Sequence, residues 1–74
     1  MNDRLCRLFQ QSFGVDPDDS TSLENTEGWD SMAHVGLMLA LEREFSVSIS
    51  PAKAIDLTDV RRIKEFLREQ GVHL

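Results

Sequence analysis

Gly28-Trp29-Asp30-Ser31-Met32-Ala33-His34-Val35-Gly36-Leu37-Met38-Leu39-Ala40-Leu41-Glu42-Arg43-Glu44-Phe45 decides how the chain is read. Gly28 lets the backbone turn, and Asp30 is a residue type that caps helix starts by accepting from free N–H groups. From Ser31 to Phe45 the apolar residues follow a helical period. Leu37, Leu41 and Phe45, with Met38 beside them, make an i, i+4 stripe suited to a core. Met32, Val35 and Leu39 make a second line on another flank. That is more apolar surface than a one-sided helix needs. Either the domain wraps around this helix, or the second line faces a partner.

The flanking segments read as helices of the same bundle. Leu5, Cys6, Leu8, Phe9 and Phe13 give one buried stripe over residues 3–13, with Asn2 or Asp3 as cap and Gly14 as a left-handed stop. Cys6 is expected as a small buried hydrophobe. After Phe45, Ser46-Val47-Ser48-Ile49-Ser50 alternates like a strand, but a lone strand has no pairing partner. A loop that turns Val47 and Ile49 inward is expected instead. Ser50-Pro51 opens a short helix with Ala52, Ala54 and Ile55, and Leu57 anchors the turn behind it. Thr58 or Asp59 starts the last helix, whose Val60, Ile63, Phe66 and Leu67 share one side until Gly71. The expected core is Leu37, Leu41, Phe45, Ile49, Ile63 and Leu67, with Phe9 and Phe13. The fold class is all-α, a small irregular four-helix bundle of three main helices and one short one.

The stretch between Phe13 and Asp30 is long for so small a chain. It is expected to be a loop pinned at Leu23 and Trp29 with mobile segments between. It holds Asp16, Asp18, Asp19, Glu24, Glu27 and Asp30 and no Lys or Arg, whereas Arg61, Arg62, Lys64 and Arg68 outnumber Glu65 and Glu69 near the other end. An acidic loop is either a solvated face or a surface that steers a basic partner.

Size and composition narrow the function. Seventy-four residues with 41% hydrophobic content make a single domain, residues 1–74, with one small core. A net charge of −5 argues against nucleic acid as partner. No apolar run approaches a membrane span and no secretory signal is evident, so a cytoplasmic protein without membrane insertion is expected. One cysteine precludes an internal disulfide, and His34 and His73 lack the company of metal ligands. The acidic loop lacks the offsets and central glycine of an EF-hand. A hydrolytic Ser31–His34 pair is available at i, i+3, but on an open helix start without a pocket. No catalytic residue is expected. Ser31 is the residue that packing does not need: a hydroxyl in the first turn, where an attached phosphate would meet free N–H groups and the positive end of the helix.

Gly28-Trp29-Asp30-Ser31-Met32, followed by Val35, Leu37, Leu41-Glu42, Glu44-Phe45 and Ile49, resembles the acyl carrier protein family. The similarity extends over nearly the whole chain, since the three helices, the long first loop and the short third helix fall in matching order. The resemblance implies that Ser31 takes 4'-phosphopantetheine from coenzyme A through a magnesium-dependent phosphopantetheinyl transferase, with Asp30 helping that enzyme to engage. It implies that Met32, Val35, Gly36 and Leu39 form the docking face, and that Glu42 is an acidic recognition position. The arm would carry an acyl group as a thioester between acyl-loading and acyl-transferring enzymes, on a monomer that catalyses nothing itself. Gly36 in place of an acid, Arg43 within the acidic run, and Ala33, His34 and Glu27 depart from the fatty-acid type. They point to a specialised pathway. The Asp30-Ser31-Met32 triplet is closer to the acyl than to the peptidyl or aminoacyl type. A cofactor-free helical interaction module is the reading from a different class, since it needs the same exposed stripe but no hydroxyl at residue 31.

Overall fold

Each helix begins where a side-chain oxygen meets a free backbone N–H. In the computed structural model, which describes residues 2–74, these helices are α1 (Asp3–Phe13), α2 (Ser31–Phe45), α3 (Pro51–Asp56) and α4 (Val60–Glu69). Asn2 accepts from Arg4 and Leu5, Asp30 from Ala33, Ser50 from Lys53, and Asp59 from Arg62. Such caps satisfy donors that no carbonyl of the helix can reach, each worth about 0.5–2 kcal/mol. The ends are as local. Gly14 stops α1 at φ 67°, and Gly71 follows α4 at φ 87° while Gly71 N–H reaches Arg68 O and Val72 N–H reaches Leu67 O. That last pair is a Schellman closure.

The end of α2 is built differently. Ser46 occupies the left-handed region at φ 54°, a conformation that disfavours any residue with a Cβ. The N–H of Val47 reaches Glu42 O, and the Glu42 carboxylate accepts from the N–H of Ile49 at 2.8 Å. These bonds hold the turn that a glycine would otherwise make.

Residues from α1, α2 and α4 meet in one core, joined by Trp29 and Leu57 from the connections. Leu5, Phe9, Leu37, Leu41, Leu57, Val60, Ile63 and Leu67 are fully buried. Phe13 and Ile49, expected at the centre, are only partly buried, because Trp29 and Leu57 take the central space. Cys6 is likewise half-buried rather than enclosed. The Val47–Ile49 segment is a loop with both apolar side chains against the core, and no strand forms among the described residues. α3 buries no residue of its own, so its position depends on its neighbours.

The first loop is tied down more thoroughly than its composition indicates. Leu23 N–H donates to Thr58 O and Val60 N–H to Thr21 O, an antiparallel bridge between Ser22 and Asp59 at the foot of α4. On both sides of Leu23, side chains take up the backbone of the loop. Asp18 accepts from Ser20 N–H, and Asn25 accepts from Ser22 N–H while donating to Ser20 O. Short polar side chains of this kind replace a ladder with turns. Across the bundle, Arg4 pairs with Glu44 at 3.1 Å and lies over the Phe45 ring, fastening α1 to α2.

Candidate functional site

Gly28, at φ 89°, swings the chain toward α2, where Trp29 is the last residue before the cap. Its indole is buried in an aromatic cluster, edge-on to Phe9 at 5.4 Å and stacked with Phe13 at 5.4 Å and His34 at 6.1 Å. The indole N–H donates to His34 Nδ1 at 2.9 Å. An Nδ1 that accepts leaves the proton on Nε2, and Nε2 lies 2.7 Å from Ala54 O, to which it donates. One imidazole thereby joins the first loop, α2 and α3.

That geometry removes the Ser31–His34 pair. Both ring nitrogens are engaged elsewhere, and His34 is half-buried rather than on an open surface. Spacing could not reveal this, because both partners lie outside the i±4 neighbourhood. Trp29, five residues before His34 and in need of an acceptor once buried, was the available signal.

Ser31 opens α2 as its first helical residue and is exposed. Its hydroxyl makes no hydrogen bond to the described residues. Asp30 Oδ1 accepts from Ala33 N–H at 2.9 Å, and Asp30 O accepts from His34 N–H at 2.8 Å. No acceptor among the described residues meets the N–H groups of Ser31 and Met32, so two donors at the positive end of α2 face outward. The clefts at Lys53, Arg62 and Phe66 and at Val15, Thr21 and Asn25 do not include Ser31.

The domain does not wrap around the second stripe. Met32 is 86%, Val35 60% and Leu39 50% exposed, and a Cβ placed on Gly36 would meet nothing within 4 Å. Ile55 on α3 is 75% exposed, an apolar residue the sequence reading did not single out as surface. Glu42 is half-buried and bound to Ile49 N–H. The loop acids are also partly occupied. Hydrogen bonds from Ser20 hold the Asp18 carboxyl below its usual range, and Lys64, at 2.9 Å, does the same for Asp19. Among the described residues no three or more His, Cys, Asp or Glu side chains converge as a metal site, and no helix is long and apolar enough to cross a membrane.

Four capped helices, a long pinned first loop, an exposed serine at a helix start and an uncovered apolar face define an acyl-carrier-like all-α domain. The phosphopantetheine attachment site family (PP-binding) matches residues 3–67, and the chain belongs to it. It is a carrier protein for covalently attached 4'-phosphopantetheine, working with a phosphopantetheinyl transferase and with biosynthetic enzymes that use the arm. No curated protein matches the chain.

Proposed function

We propose that residues 1–74 act as one acyl carrier domain whose arm is attached at Ser31. The carrying observation is the exposed, unpartnered hydroxyl of Ser31 in the first turn of α2, next to two outward-facing N–H groups. A phosphodiester on Oγ would sit in that field, an interaction worth about 0.3–1 kcal/mol on an exposed turn. Asp30 holds the turn through Ala33 N–H, so the hydroxyl is presented on a rigid start. When Oγ bonds to phosphorus and the nucleotide part of coenzyme A departs, the proton lost from Oγ must go to the transferase. His34 does not take it, having both nitrogens engaged.

In this reading Met32, Val35, Gly36 and Leu39 receive the partner enzymes, and Glu42 braces the end of that face through Ile49. The domain itself catalyses nothing. It carries an acyl thioester in a specialised cytoplasmic pathway rather than a peptidyl one, because the Asp30-Ser31-Met32 triplet is closer to the acyl than to the peptidyl or aminoacyl type.

Intact-mass measurement after incubation with coenzyme A, magnesium and a broad-range transferase tests the attachment. The wild-type chain gains one phosphopantetheine, mapped to the Ser31 peptide, while Ser31→Ala folds and gains none. An adduct on Ser12 or Ser46, or none from any transferase, overturns it. Mass analysis of the arm released from natively purified protein separates an acyl from an aminoacyl cargo.

A further inference from the structure

Three hydrogen bonds close loops of chain around Ser31. Asp30 Oδ1 accepts from Ala33 N–H at 2.9 Å, Asp30 O accepts from His34 N–H at 2.8 Å, and the Trp29 indole N–H donates to His34 Nδ1 at 2.9 Å. The first two belong to any capped helix start. The third is particular to this chain, since it fastens the residue two before Ser31 to the side chain three after it. A first turn ordinarily frays, because its leading N–H groups have no carbonyl within the helix to meet. Those of Ser31 and Met32 meet no acceptor among the described residues, so they add nothing that holds this turn. Both ends of the third bond are anchored instead. Trp29 is 3% exposed, packed on Phe9 and Phe13, and its backbone N–H reaches Thr26 O at 3.2 Å. His34 is held from the far side by Ala54 O at 2.7 Å, and Ala54 packs against the core.

We infer that His34 is a positioning residue for loading of the arm: through the Trp29 indole it holds Trp29-Asp30-Ser31 so that the hydroxyl is presented in one orientation. The inference rests on Ser31 being the attachment site. His34 has both ring nitrogens engaged and takes no part in moving the proton. Without the imidazole, the Asp30 cap remains, but the segment before Ser31 keeps its swivel at Gly28, φ 89°, and loses its tie to α2 and α3. Attack of Oγ on phosphorus needs an aligned approach, and a displacement of about 1 Å slows such a step by up to about 100-fold. A looser turn therefore lowers kcat. KM changes little, because His34 is half-buried and the exposed residues of α2 stay where they are.

Steady-state loading of the apo chain with coenzyme A, magnesium and a broad-range transferase tests this, at a temperature where circular dichroism shows every variant folded. His34→Ala is expected to lower kcat about five- to tenfold with KM within about twofold. His34→Gln, which accepts and donates, recovers part of the loss. Trp29→Phe keeps a ring but removes the N–H, and slows loading in the same way. The double variant is no slower than the slower single one, because both substitutions remove the same bond. Ile63→Val, a core change in α4, lowers the melting temperature and leaves kcat unchanged, which separates position from stability. A kcat for His34→Ala within about twofold of wild type overturns the inference while leaving Ser31 as the attachment site. So does the absence of recovery with His34→Gln, an additive loss in the double variant, or an equal loss with Ile63→Val. A wild-type chain that accepts no arm overturns the attachment reading, and this one with it.

Discussion

α4 and α2 answer the same problem in opposite ways. α4 buries Val60, Ile63, Phe66 and Leu67 and turns Arg61, Arg62, Glu65, Arg68 and Glu69 to solvent. α2 buries Leu37, Met38, Leu41 and Phe45, yet leaves Met32, Val35 and Leu39 in water. Water disfavours such a face and packing does not require it, which is why the function proposed above gives it to association. α4 gives its apolar side to the core, while α2 gives one apolar side to the core and keeps a second in solvent.

That division is broken most severely from inside. Phe45→Ala removes a buried ring at the end of α2 and the surface on which Arg4 rests. It is expected to cost about 3–5 kcal/mol, a large share of the stability of a domain this small. Denaturant melts measure it, and a loss below about 1 kcal/mol would mean that the inner face is not what holds α2.

His34 tests the boundary between the two sides. His34→Ala leaves the buried Trp29 N–H without its acceptor and frees Ala54 O, for an expected loss of about 1–3 kcal/mol. His34→Gln, which has one acceptor and one donor, should recover part of it. Tryptophan fluorescence reports the same change locally, and an unshifted emission with an unchanged melt would show that the imidazole ties nothing together.

The outer face responds with the opposite sign. Gly36→Ala should stabilise by up to about 1 kcal/mol, because alanine suits a helix better and open space surrounds the position. It should also slow transfer from the cognate enzyme, where a bare backbone permits close approach. A lower melting temperature would show contacts at Gly36, and an unchanged transfer rate would remove its role in docking.

The smallest effect lies in the acidic loop. Lys64 depresses the pKa of the exposed Asp19 in the folded state, so the contribution of the pair is present above the ordinary carboxylate range. It fades as pH falls through the lowered folded value. Asp19→Asn is expected to flatten that part of the acid limb slightly, as seen in melts between neutral and acidic pH. An unaltered acid limb would mean that solvent screens the pair completely.

The residues that were legible in the chain are those whose partners lie within one helical turn. Asn2, Asp30, Ser50 and Asp59 each bond two or three residues onward, and Gly14 and Gly71 act where they stand. The inner stripe of α2 was legible for the same reason, as was the four-helix order. The exposure of Met32, Val35 and Leu39 was not, because it depends on what α3 and the first loop leave uncovered. His34 reaches Ala54 across twenty residues, and Ser22 pairs with Asp59 across the length of α2 and α3.

Glu42 shows the dividing line at a single residue. Its place in the last turn of α2 follows from the period of the apolar residues around it. Its capture by Ile49 follows from Ser46 turning left-handed without a glycine, which brings the next backbone N–H groups back over the helix end. Local hydrogen bonding and periodicity therefore determined the elements, the core side of each and the serine at the start of α2. Only tertiary packing decided which apolar and charged groups stayed exposed, since exposure depends on every other element having already chosen its contacts.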